Sequence, residues 1–554
     1  MGLKLPVSNP VILAVLDGWG IAPPSSGNAI TQASTRNMNR LWAAYPHTQL
    51  RASGEAVGLP RGEVGSTETG HLNMGAGRIV YQDLARINMA IADGSFFDNQ
   101  VLNGAFEHAV KHNSNVHLIG LLGAGGVHSN MEHLFALVHL SGLRLFQRLF
   151  IHAFTDGRDS PPSASLAYVQ QLRGVLEKEK VGTIASIMGR YWAMDRDQRW
   201  ERTQKAYQAL TKGVGVAAKT PDEAIQMSYR QGRSDEFIEP TLMVNDQNVA
   251  IATIRENDAV IFFNFRIDRP RQLTKAFVLE DFTNANLAWD YDPYAVVYEK
   301  KHIPEHPGGV TFDRGSRLNN LYFVMMTEYG RPMVEAGAMV AFPPEKVKMP
   351  LGRVFSDNTL KQLRVAESEK ERFVGFYFNG LVEAPFSGED RLIVPSPKVP
   401  TYDQKPEMSA LEMTDKLLTR LRETSSYRFV LVNFANVDMV GHTGNLSAAV
   451  KACETVDHCV GLLAQFVLAH DGALVITADH GNAEEMINLQ TGEVETEHSA
   501  NPVPFIVVSK HFLGKPHTLP GGIVADVAPT VLALMGLNKP TLMTGRNLLE
   551  QIGR

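Results

Sequence analysis

The chain has 554 residues, of which 44% are hydrophobic and 20% charged, and its formal net charge is -6. Its length predicts two domains, because single cores stop growing at about 250–300 residues. The acidic balance argues against a binder of nucleic acid or anionic membranes, which would carry a basic excess. The only cysteines, Cys453 and Cys459, lie six apart in a predicted helix. With no signal peptide and no run near the roughly 20 apolar residues of a membrane helix, we expect a cytoplasmic protein without disulfides.

The apolar runs form two sets that differ in the residues at their ends. Runs that alternate with glycine-rich loops and helical periodicity are typical of an α/β protein. The first set ends in Asp or Asp-His and comprises 11–17, 428–438 and 473–480. The second set ends in His or Arg and comprises 115–129, 148–159, 181–190 and 258–269. Because ligands of open parallel sheets bind beyond the carboxyl ends of the strands, the three Asp-terminated strands are expected to meet in one crevice.

The interleaving of these sets predicts a second domain inserted into a first. Residues 82–315 are expected to form the inserted α/β domain, and residues 1–81 plus 316–554 the discontinuous domain that receives it. The polar segment 300–320, which contains prolines and glycines, is the predicted return linker.

Carboxylates and imidazoles gather at the ends of the first set of strands. They are Asp17, the pair Asp438 and His442, the pair Asp479 and His480, and His498 further along the chain. A lone Asp in such a place is more often a helix cap or turn residue, and a lone loop histidine is more often solvated. Their coincidence favours a metal site, and mixed Asp/His ligands suit Mn²⁺ or Zn²⁺ better than Ca²⁺. The number of ligands is enough for two ions.

A loop at 58–78 carries six glycines around Ser66, Thr67, Thr69 and His71. Such a loop brings hydroxyls and backbone N–H groups close to a phosphoryl group. Taken alone it is more often a structural turn, and it lacks the lysine of a nucleotide-binding P-loop. Next to a metal site, however, one of its hydroxyls is a candidate nucleophile.

Arginines recur at the ends of the second set of strands. The candidates are Arg158 beside Asp159, Arg190, Arg196, Arg266 and Arg269. The planar guanidinium suits carboxylates and phosphates because it donates paired, charge-assisted hydrogen bonds. For Arg199 and Arg202 a salt-bridged helix surface is the preferred interpretation, whereas Arg190, Arg266 and Arg269 are interpreted as an anion clamp.

Several long motifs follow one another along the chain, among them VLDGWG, ETGHLNMGAGRIVYQDLARIN, GGVHS, DGRD, GRYWAMDRD, AESEK, DMVGHTG and TADHGN. In this order they resemble the cofactor-independent phosphoglycerate mutases of the bacterial type, within the alkaline phosphatase superfamily. The resemblance runs nearly end to end. It implies an alkaline-phosphatase-like metal domain with an inserted phosphotransferase domain.

The resemblance also implies a role for each candidate residue. One Mn²⁺ would be held by Asp438, His442 and His498, and a second by Asp17, Asp479, His480 and the nucleophile. The phosphoglycerate would be bound or processed by His128, Arg158, Asp159, Arg190, Arg196, Arg266, Arg269 and Lys370, with Asp159 as acid and base. The family's nucleophilic serine aligns with Thr67, one residue after Ser66. Ala124 and Val437 replace a family aspartate and proline.

The expected activity is interconversion of 3-phosphoglycerate and 2-phosphoglycerate through a phosphoenzyme, with two metal ions and without bisphosphoglycerate. We expect a monomer whose partner is this small substrate, and neither nucleic acid nor a membrane. Two alternatives stay open. One is a phosphatase of the same superfamily, if water intercepts the phosphothreonine, and the other is a non-catalytic protein that only binds phosphoglycerate.

Overall fold

A computed structural model describes residues 8–283, 311–550 and 552. The chain forms two compact units, a first unit of Met1–Gln82 with Glu345–Arg554 and a second unit of Asp83–Pro344. The second unit begins at Asp83, one residue after the predicted boundary at residue 82. It ends at Pro344 and not at residue 315 as predicted, so residues 316–344 belong to the second unit and not to the first. Residues 300–310 of the predicted linker lie outside the described residues.

The first unit is built on one eight-stranded sheet. Its strands are β1 (Val11–Leu16), β2 (His47–Arg51), β11 (Lys361–Glu367), β12 (Glu389–Val394), β13 (Tyr427–Phe434), β14 (Ala473–Thr477), β15 (Val503–Ser509) and β16 (Gly522–Ile523). Their order across the sheet is β12-β11-β13-β1-β14-β15-β2-β16. β1 lies between β13 and β14 and runs parallel to both. All six residues of β1 are buried, as expected for a strand covered on both faces.

The second unit contains the other eight-stranded sheet. Its strands are β3 (Val116–Leu122), β4 (Leu149–Thr155), β5 (Thr183–Gly189), β6 (Val216–Ala218), β7 (Thr241–Met243), β8 (Ala259–Phe262), β9 (Tyr322–Met325) and β10 (Met339–Val340). Their order is β10-β9-β8-β3-β4-β5-β7-β6. The return to the first unit was predicted too early because β9 pairs with β8 and β10 with β9. Both units confirm the predicted α/β class.

Helices flank both sheets. Those of the first unit are α1 (Ala29–Gln32), α2 (Arg36–Ala44), α3 (Thr67–Ala76), α13 (Leu351–Asp357), α14 (Ala410–Glu423), α15 (Asn436–Gly441), α16 (Leu446–Ala469) and α17 (Val527–Leu534). Those of the second unit are α4 (Asp83–Asp93), α5 (Gln100–His112), α6 (Met131–Leu143), α7 (Ser165–Glu179), α8 (Arg190–Ala193), α9 (Trp200–Lys212), α10 (Pro221–Arg230), α11 (Arg271–Val278) and α12 (Arg331–Glu335).

Helix α16 is the predicted helix that carries both cysteines. Cys453 and Cys459 are free thiols and are buried. Among the described residues, α16 is the one helix long and apolar enough to cross a membrane, and 61% of its most apolar window is buried inside the protein. It packs against β1, β14 and β15. The helix therefore contributes to the core of the first unit.

Candidate metal centre and arginine cluster

The carboxylates that the sequence singled out lie just after three neighbouring strands of the first unit, β13, β1 and β14. Asp17 directly follows β1, and Asp479 with His480 follows β14. Asp438 was predicted at the end of a strand, but β13 ends at Phe434 and Asp438 lies in the short helix α15. The backbone N–H of Asp438 donates to the carbonyl of Asp17 (3.1 Å), which ties this helix to the end of β1. The three strand ends therefore meet at this edge of the sheet, as the sequence predicted.

Two groups of side chains at this edge of the sheet are spaced to hold metal ions. The first comprises Asp438, His442 and His498, and the second Asp17, Asp438 and His480, with the ligand atoms of each group within 4.8 Å of one another. The Nε2 atoms of His442 and His498 lie 3.2 and 3.3 Å from Asp438 Oδ1 and 3.1 Å from each other. Asp479, which the resemblance also implies as a ligand, lies 3.7 Å from His480 Nε2 through its Oδ2.

The hydrogen bonds of the three histidines fit metal ligation. Nδ1 of His442 lies 2.7 Å from the Thr496 carbonyl, Nδ1 of His498 lies 2.8 Å from the Gly65 carbonyl, and Nδ1 of His480 lies 3.2 Å from the Gly481 carbonyl. Each Nδ1 must carry the proton to donate to a carbonyl. Each Nε2 therefore faces the carboxylates, at the position where a bound metal ion would displace a proton, as in metal-binding histidines.

The hydroxyl of Thr67 lies inside this centre. Its Oγ1 is 2.9 Å from His480 Nε2, 3.1 Å from Lys370 Nζ and 3.4 Å from Asp17 Oδ1. Thr67 is the first residue of α3, and its side chain is buried.

Ser66 has a different task. It is the N-cap of α3, and its Oγ accepts from Thr69 N at 3.3 Å. The side chain of Thr69 completes a capping box with the backbone N–H of Ser66 (3.1 Å). This geometry favours Thr67 over Ser66 as the nucleophile.

A glycine allows the helix to approach the strand end so closely. A Cβ on Gly70, three residues into α3 from Thr67, would lie 2.5 Å from both the Cβ and the carbonyl oxygen of Asp479. Any larger residue would push the first turn of α3 away from the carboxylates. The glycine-rich composition of 58–78 thus has a local reason at this position.

Lys370 lies at the middle of the centre, fully buried, at the end of a short 3₁₀ turn (Ser368–Lys370) after β11. Its Nζ is 2.9 Å from Asp17 Oδ1 and 2.8 Å from Asp438 Oδ2. Burial alone would lower the pKa of Lys370, but Asp17 and Asp438 raise it, so the amine is an ammonium. The ammonium in turn overcomes burial and holds the pKa of Asp438 well below its usual range.

Burial and neighbouring charges shift the pKa values of the remaining groups in different directions. Burial, reinforced by Asp479, raises the pKa of Asp17 well above its usual range. Burial also lowers the pKa of His480 to about 4. At His498 the bond to Asp438 outweighs burial and raises the pKa to about 9. The carboxylates are crowded enough to repel one another, which is the electrostatic setting that favours bound cations.

In the second unit, two of the predicted arginines and His128 contact one carboxylate that the sequence did not single out. Asp268 lies 3.0 Å from Arg196 Nη1, 3.3 Å from Arg266 Nε and 3.4 Å from His128 Nδ1. Burial would raise the pKa of Asp268, but the bond to His128 and the charge of Arg266 lower it.

Arg190 anchors the other side of this cluster. Its guanidinium is buried and bonds Asp156 (2.5 Å) and Asp159. His128 Nε2 lies 3.7 Å from Asp159 Oδ2, so His128 stands between Asp159 and Asp268. Arg190 overcomes burial and lowers the pKa of Asp159, which is therefore a carboxylate.

The two remaining arginines differ in burial. Arg269 donates from Nη1 to the Met194 carbonyl at 3.1 Å. Burial and the neighbouring charges of Arg190 and Arg196 lower its pKa, which shows how strongly positive its surroundings are. Arg158 is the most exposed, 57% at its side chain, and lies 3.7 Å from Glu236. The cluster can therefore bind an anion by direct hydrogen bonds.

The structure also brings in residues that the sequence analysis did not single out for the centre. Asn482 Nδ2 donates to Asp438 Oδ1 at 3.0 Å, and Asn433 Nδ2 donates to Asp17 Oδ2 at 2.8 Å. His71 was noted in the glycine-rich loop without a role, and its Nδ1 lies 3.3 Å from Asp479 Oδ2. Asp268 lies between Arg266 and Arg269 in the sequence, but the sequence analysis gave a role only to these two arginines.

The fold and the site together define the class of protein: an α/β protein with a candidate divalent-metal centre built around a buried hydroxyl, and with a separate cluster of arginines.

Comparisons with known proteins then give the family. The profile described as BPG-independent PGAM N-terminus matches residues 87–331. The 2,3-bisphosphoglycerate-independent phosphoglycerate mutase of Moorella thermoacetica is 50% identical over 99% of both chains, and that of Clostridioides difficile is 46% identical over 98% of this chain and 100% of the relative. A crystal structure of Leishmania mexicana phosphoglycerate mutase at low cobalt concentration is 28% identical with a TM-score of 0.58, over 99% of each chain. The chain belongs to the family of 2,3-bisphosphoglycerate-independent phosphoglycerate mutases.

Proposed function

We propose that the protein interconverts 3-phosphoglycerate and 2-phosphoglycerate through a phosphoenzyme on Thr67. The observation that carries the proposal is the position of Thr67 Oγ1, within 3.4 Å of Asp17, His480 and Lys370. A hydroxyl held by a carboxylate, an imidazole and an ammonium is placed to lose its proton and attack phosphorus. Family membership supports the same reaction.

The metal ligands on this chain are proposed to be those that the resemblance implies. Asp438, His442 and His498 would hold one Mn²⁺, and Asp17, Thr67, Asp479 and His480 a second. Bound divalent cations supply Lewis-acid stabilisation of the charge that develops on phosphoryl oxygens. The orientation of the three histidines, with Nδ1 at a carbonyl and Nε2 turned toward the carboxylates, is the structural support for this assignment.

The chain's own groups account for the transfer in two steps. In the first, Thr67 Oγ1 gives up its proton and forms a bond to phosphorus, the bond between phosphorus and the glycerate oxygen breaks, and that oxygen takes up one proton, so that the proton count is unchanged. In the second, the other glycerate hydroxyl gives up its proton and receives the phosphoryl group, and Thr67 regains its hydroxyl. The ammonium of Lys370, 3.1 Å from Oγ1, is placed to stabilise the transferred phosphoryl charge. The N-terminus of α3 adds backbone N–H groups beside the same oxygen.

The arginine cluster is proposed to bind the substrate's carboxylate and phosphate. His128, Arg158, Arg190, Arg196, Arg266 and Arg269 supply positive charge and hydrogen-bond donors. Asp159, held as a carboxylate by Arg190, is the proposed acid and base for the glycerate hydroxyls. A substrate that carries its own phosphoryl group and a retained nucleophile on the protein together remove any need for bisphosphoglycerate.

An enolase-coupled assay on metal-stripped protein tests the proposal. We expect no turnover without metal, recovery when Mn²⁺ is added back, and no requirement for bisphosphoglycerate. Release of inorganic phosphate in place of 2-phosphoglycerate would identify a phosphatase. Binding of phosphoglycerate without either product would identify a non-catalytic binder and contradict the proposal.

A further inference from the structure

Two buried side chains behind the metal centre are joined in one hydrogen-bonded chain. His71 lies on α3, one turn after Thr67, and Asn433 lies on β13, and both are completely buried. Asn433 Nδ2 is 2.8 Å from Asp17 Oδ2 and 3.2 Å from His71 Nε2. Neither residue belongs to the two groups of metal-spaced side chains or to the arginine cluster.

The direction of these hydrogen bonds follows from the number of protons available. Asn433 donates from Nδ2 to Asp17 Oδ2, and an Asp17 that ligates a cation is a carboxylate, which would repel the amide oxygen. The amide has two protons. One is donated to Asp17, which leaves the other for His71 Nε2. That nitrogen must therefore accept, so the proton of a neutral His71 ring is on Nδ1.

The proton on Nδ1 points at two further parts of the centre. Nδ1 of His71 lies 3.0 Å from the carbonyl oxygen of Thr67 and 3.3 Å from Asp479 Oδ2. Asp479 Oδ2 is buried and makes no hydrogen bond within the described residues, so the 3.3 Å contact with the His71 ring is its closest approach to a donor there. These contacts thus link Asp17, Asp479 and the backbone of Thr67, three residues that the proposed function assigns to one cation.

Apart from Lys370, which bonds both Asp17 and Asp438, the other ligand set is held by different contacts. Asp438 receives hydrogen bonds from Asn482 and Lys370, and His442 and His498 bond to backbone carbonyls. No hydrogen bond from His71 or Asn433 to these three ligands is present in the described part of the chain. A change in either residue should therefore act on one ligand set and spare the other.

We infer that His71 and Asn433 are positioning residues for the Asp17, Asp479 and His480 ligand set. They hold two mutually repelling carboxylates, together with the backbone of Thr67, in the arrangement that accepts a divalent cation. Partners of this kind, one bond behind the ligands, typically change metal affinity by about 10–100-fold when removed. The inference rests on the metal centre of the proposed function, but it concerns cation affinity and not turnover.

The test is a Mn²⁺ titration of the full chain in which the electron paramagnetic resonance signal of free Mn²⁺ measures how much metal is bound. His71→Leu removes the donor, whereas His71→Asn keeps an N–H close to the position of Nδ1. We expect His71→Leu to weaken one of two binding steps about 10–100-fold and His71→Asn to restore most of it. His442→Ala identifies the step of the other set, which should be unchanged in His71→Leu.

Two further variants guard against a merely structural effect. Asn433→Ala removes the donor to Asp17 while leaving His71 in place, and it should weaken the same step. His133→Leu is the matched control, since His133 is a fully buried histidine of the second unit that bonds Asn88. It should leave both steps unchanged.

Several outcomes would overturn the inference. They are unchanged affinity in His71→Leu and Asn433→Ala, equal weakening of both steps, or a His71→Asn variant no better than His71→Leu. A wild-type chain that binds no Mn²⁺ would overturn the inference together with the proposed metal centre. Two selective binding steps in a chain without mutase activity would instead support the inference and contradict the proposed function.

Discussion

The metal centre of the first unit and the arginine cluster of the second contrast in burial and in charge. Asp17, Asp438 and Asp479 expose at most 3% of their side chains and have one ammonium, Lys370, among them. In the cluster, Arg266 exposes 49% of its side chain and shares Asp268 with its neighbours. The first arrangement fixes oxygen and nitrogen ligands in place for cations. The second presents guanidinium groups to an anion that arrives from solution. The contrast supports the proposed division of chemistry and recognition between separate parts of the chain.

Loss of the nucleophile should give the largest effect. Thr67→Ala removes the oxygen that we propose to carry the phosphoryl group, so mutase activity should fall by at least about 10⁴-fold. Thr67→Ser keeps the hydroxyl and should retain activity. Ser66→Ala, which removes only a helix cap, is the neighbouring control and should be comparatively mild, as the enolase-coupled rate will show. An active Thr67→Ala variant would contradict the role assigned to the centre.

A substitution of Lys370 tests whether its ammonium is the counter-charge of the buried carboxylates. Lys370→Met leaves Asp17 and Asp438 buried without their cation, so the free energy of unfolding of the metal-free protein should fall by about 3–5 kcal/mol. Urea denaturation measures this, and Mn²⁺ should recover part of the loss. Lys416→Met, at an exposed pair with Glu412, is the control and should change little. Equal stability of the Lys370→Met variant and wild type would mean that the ammonium is not the counter-charge.

An arginine of the cluster should affect substrate and not metal. Arg266→Ala removes a partly exposed partner of Asp268, and we expect phosphoglycerate binding to weaken by about 2 kcal/mol, near the low end of the range for broken charge pairs. Steady-state kinetics and Mn²⁺ titration on the same sample measure both properties. Arg233→Ala, which breaks a surface pair with Glu239, is the matched control. If Arg266→Ala lost metal as well as substrate, the division between the two sites would be wrong.

The smallest effect concerns pH and a buried carboxyl near the centre. Burial raises the pKa of Glu367 from 4.5 to about 7, although Ser409 N donates to it at 2.8 Å. The folded protein thus keeps a proton that the unfolded chain loses. This contribution to stability is complete below about pH 4.5 and is lost as the pH rises through about 7.

Glu367→Gln removes this titration. Between pH 6 and pH 8 the wild type should lose about 1 kcal/mol more stability than the variant. Urea denaturation at the two pH values measures the difference, and Glu412→Gln at an exposed position is the control. A variant with the same pH dependence as wild type would show that Glu367 is ionised throughout this range.

The sequence predicted best what local pattern determines. The buried strands β1 and β14 and the carboxylates that follow them were visible because an apolar run that stops at Asp signals a strand end. Helix α16 was visible from its periodicity. The extent of β13 was not, because ANVD continues an apolar run while the backbone already turns into α15.

What the sequence missed depends on contacts between distant residues. Lys370 was singled out only through the family resemblance, because its Nζ contacts Asp17 from 353 positions away and no local pattern distinguishes it from a surface lysine. Asp268 and Asn433 acquire their partners only when separate strands assemble. The return boundary at Pro344 was missed because β9 and β10 are short, and only their pairing shows that they belong to the second sheet.

The central claim is that Thr67 carries the phosphoryl group, and peptide mass spectrometry after a rapid acid quench with phosphoglycerate tests it directly. We predict phosphate on Thr67 in the wild type, phosphate on residue 67 in Thr67→Ser, and none in Thr67→Ala. Phosphate on Ser66, retained in Thr67→Ala and lost in Ser66→Ala, would contradict the account.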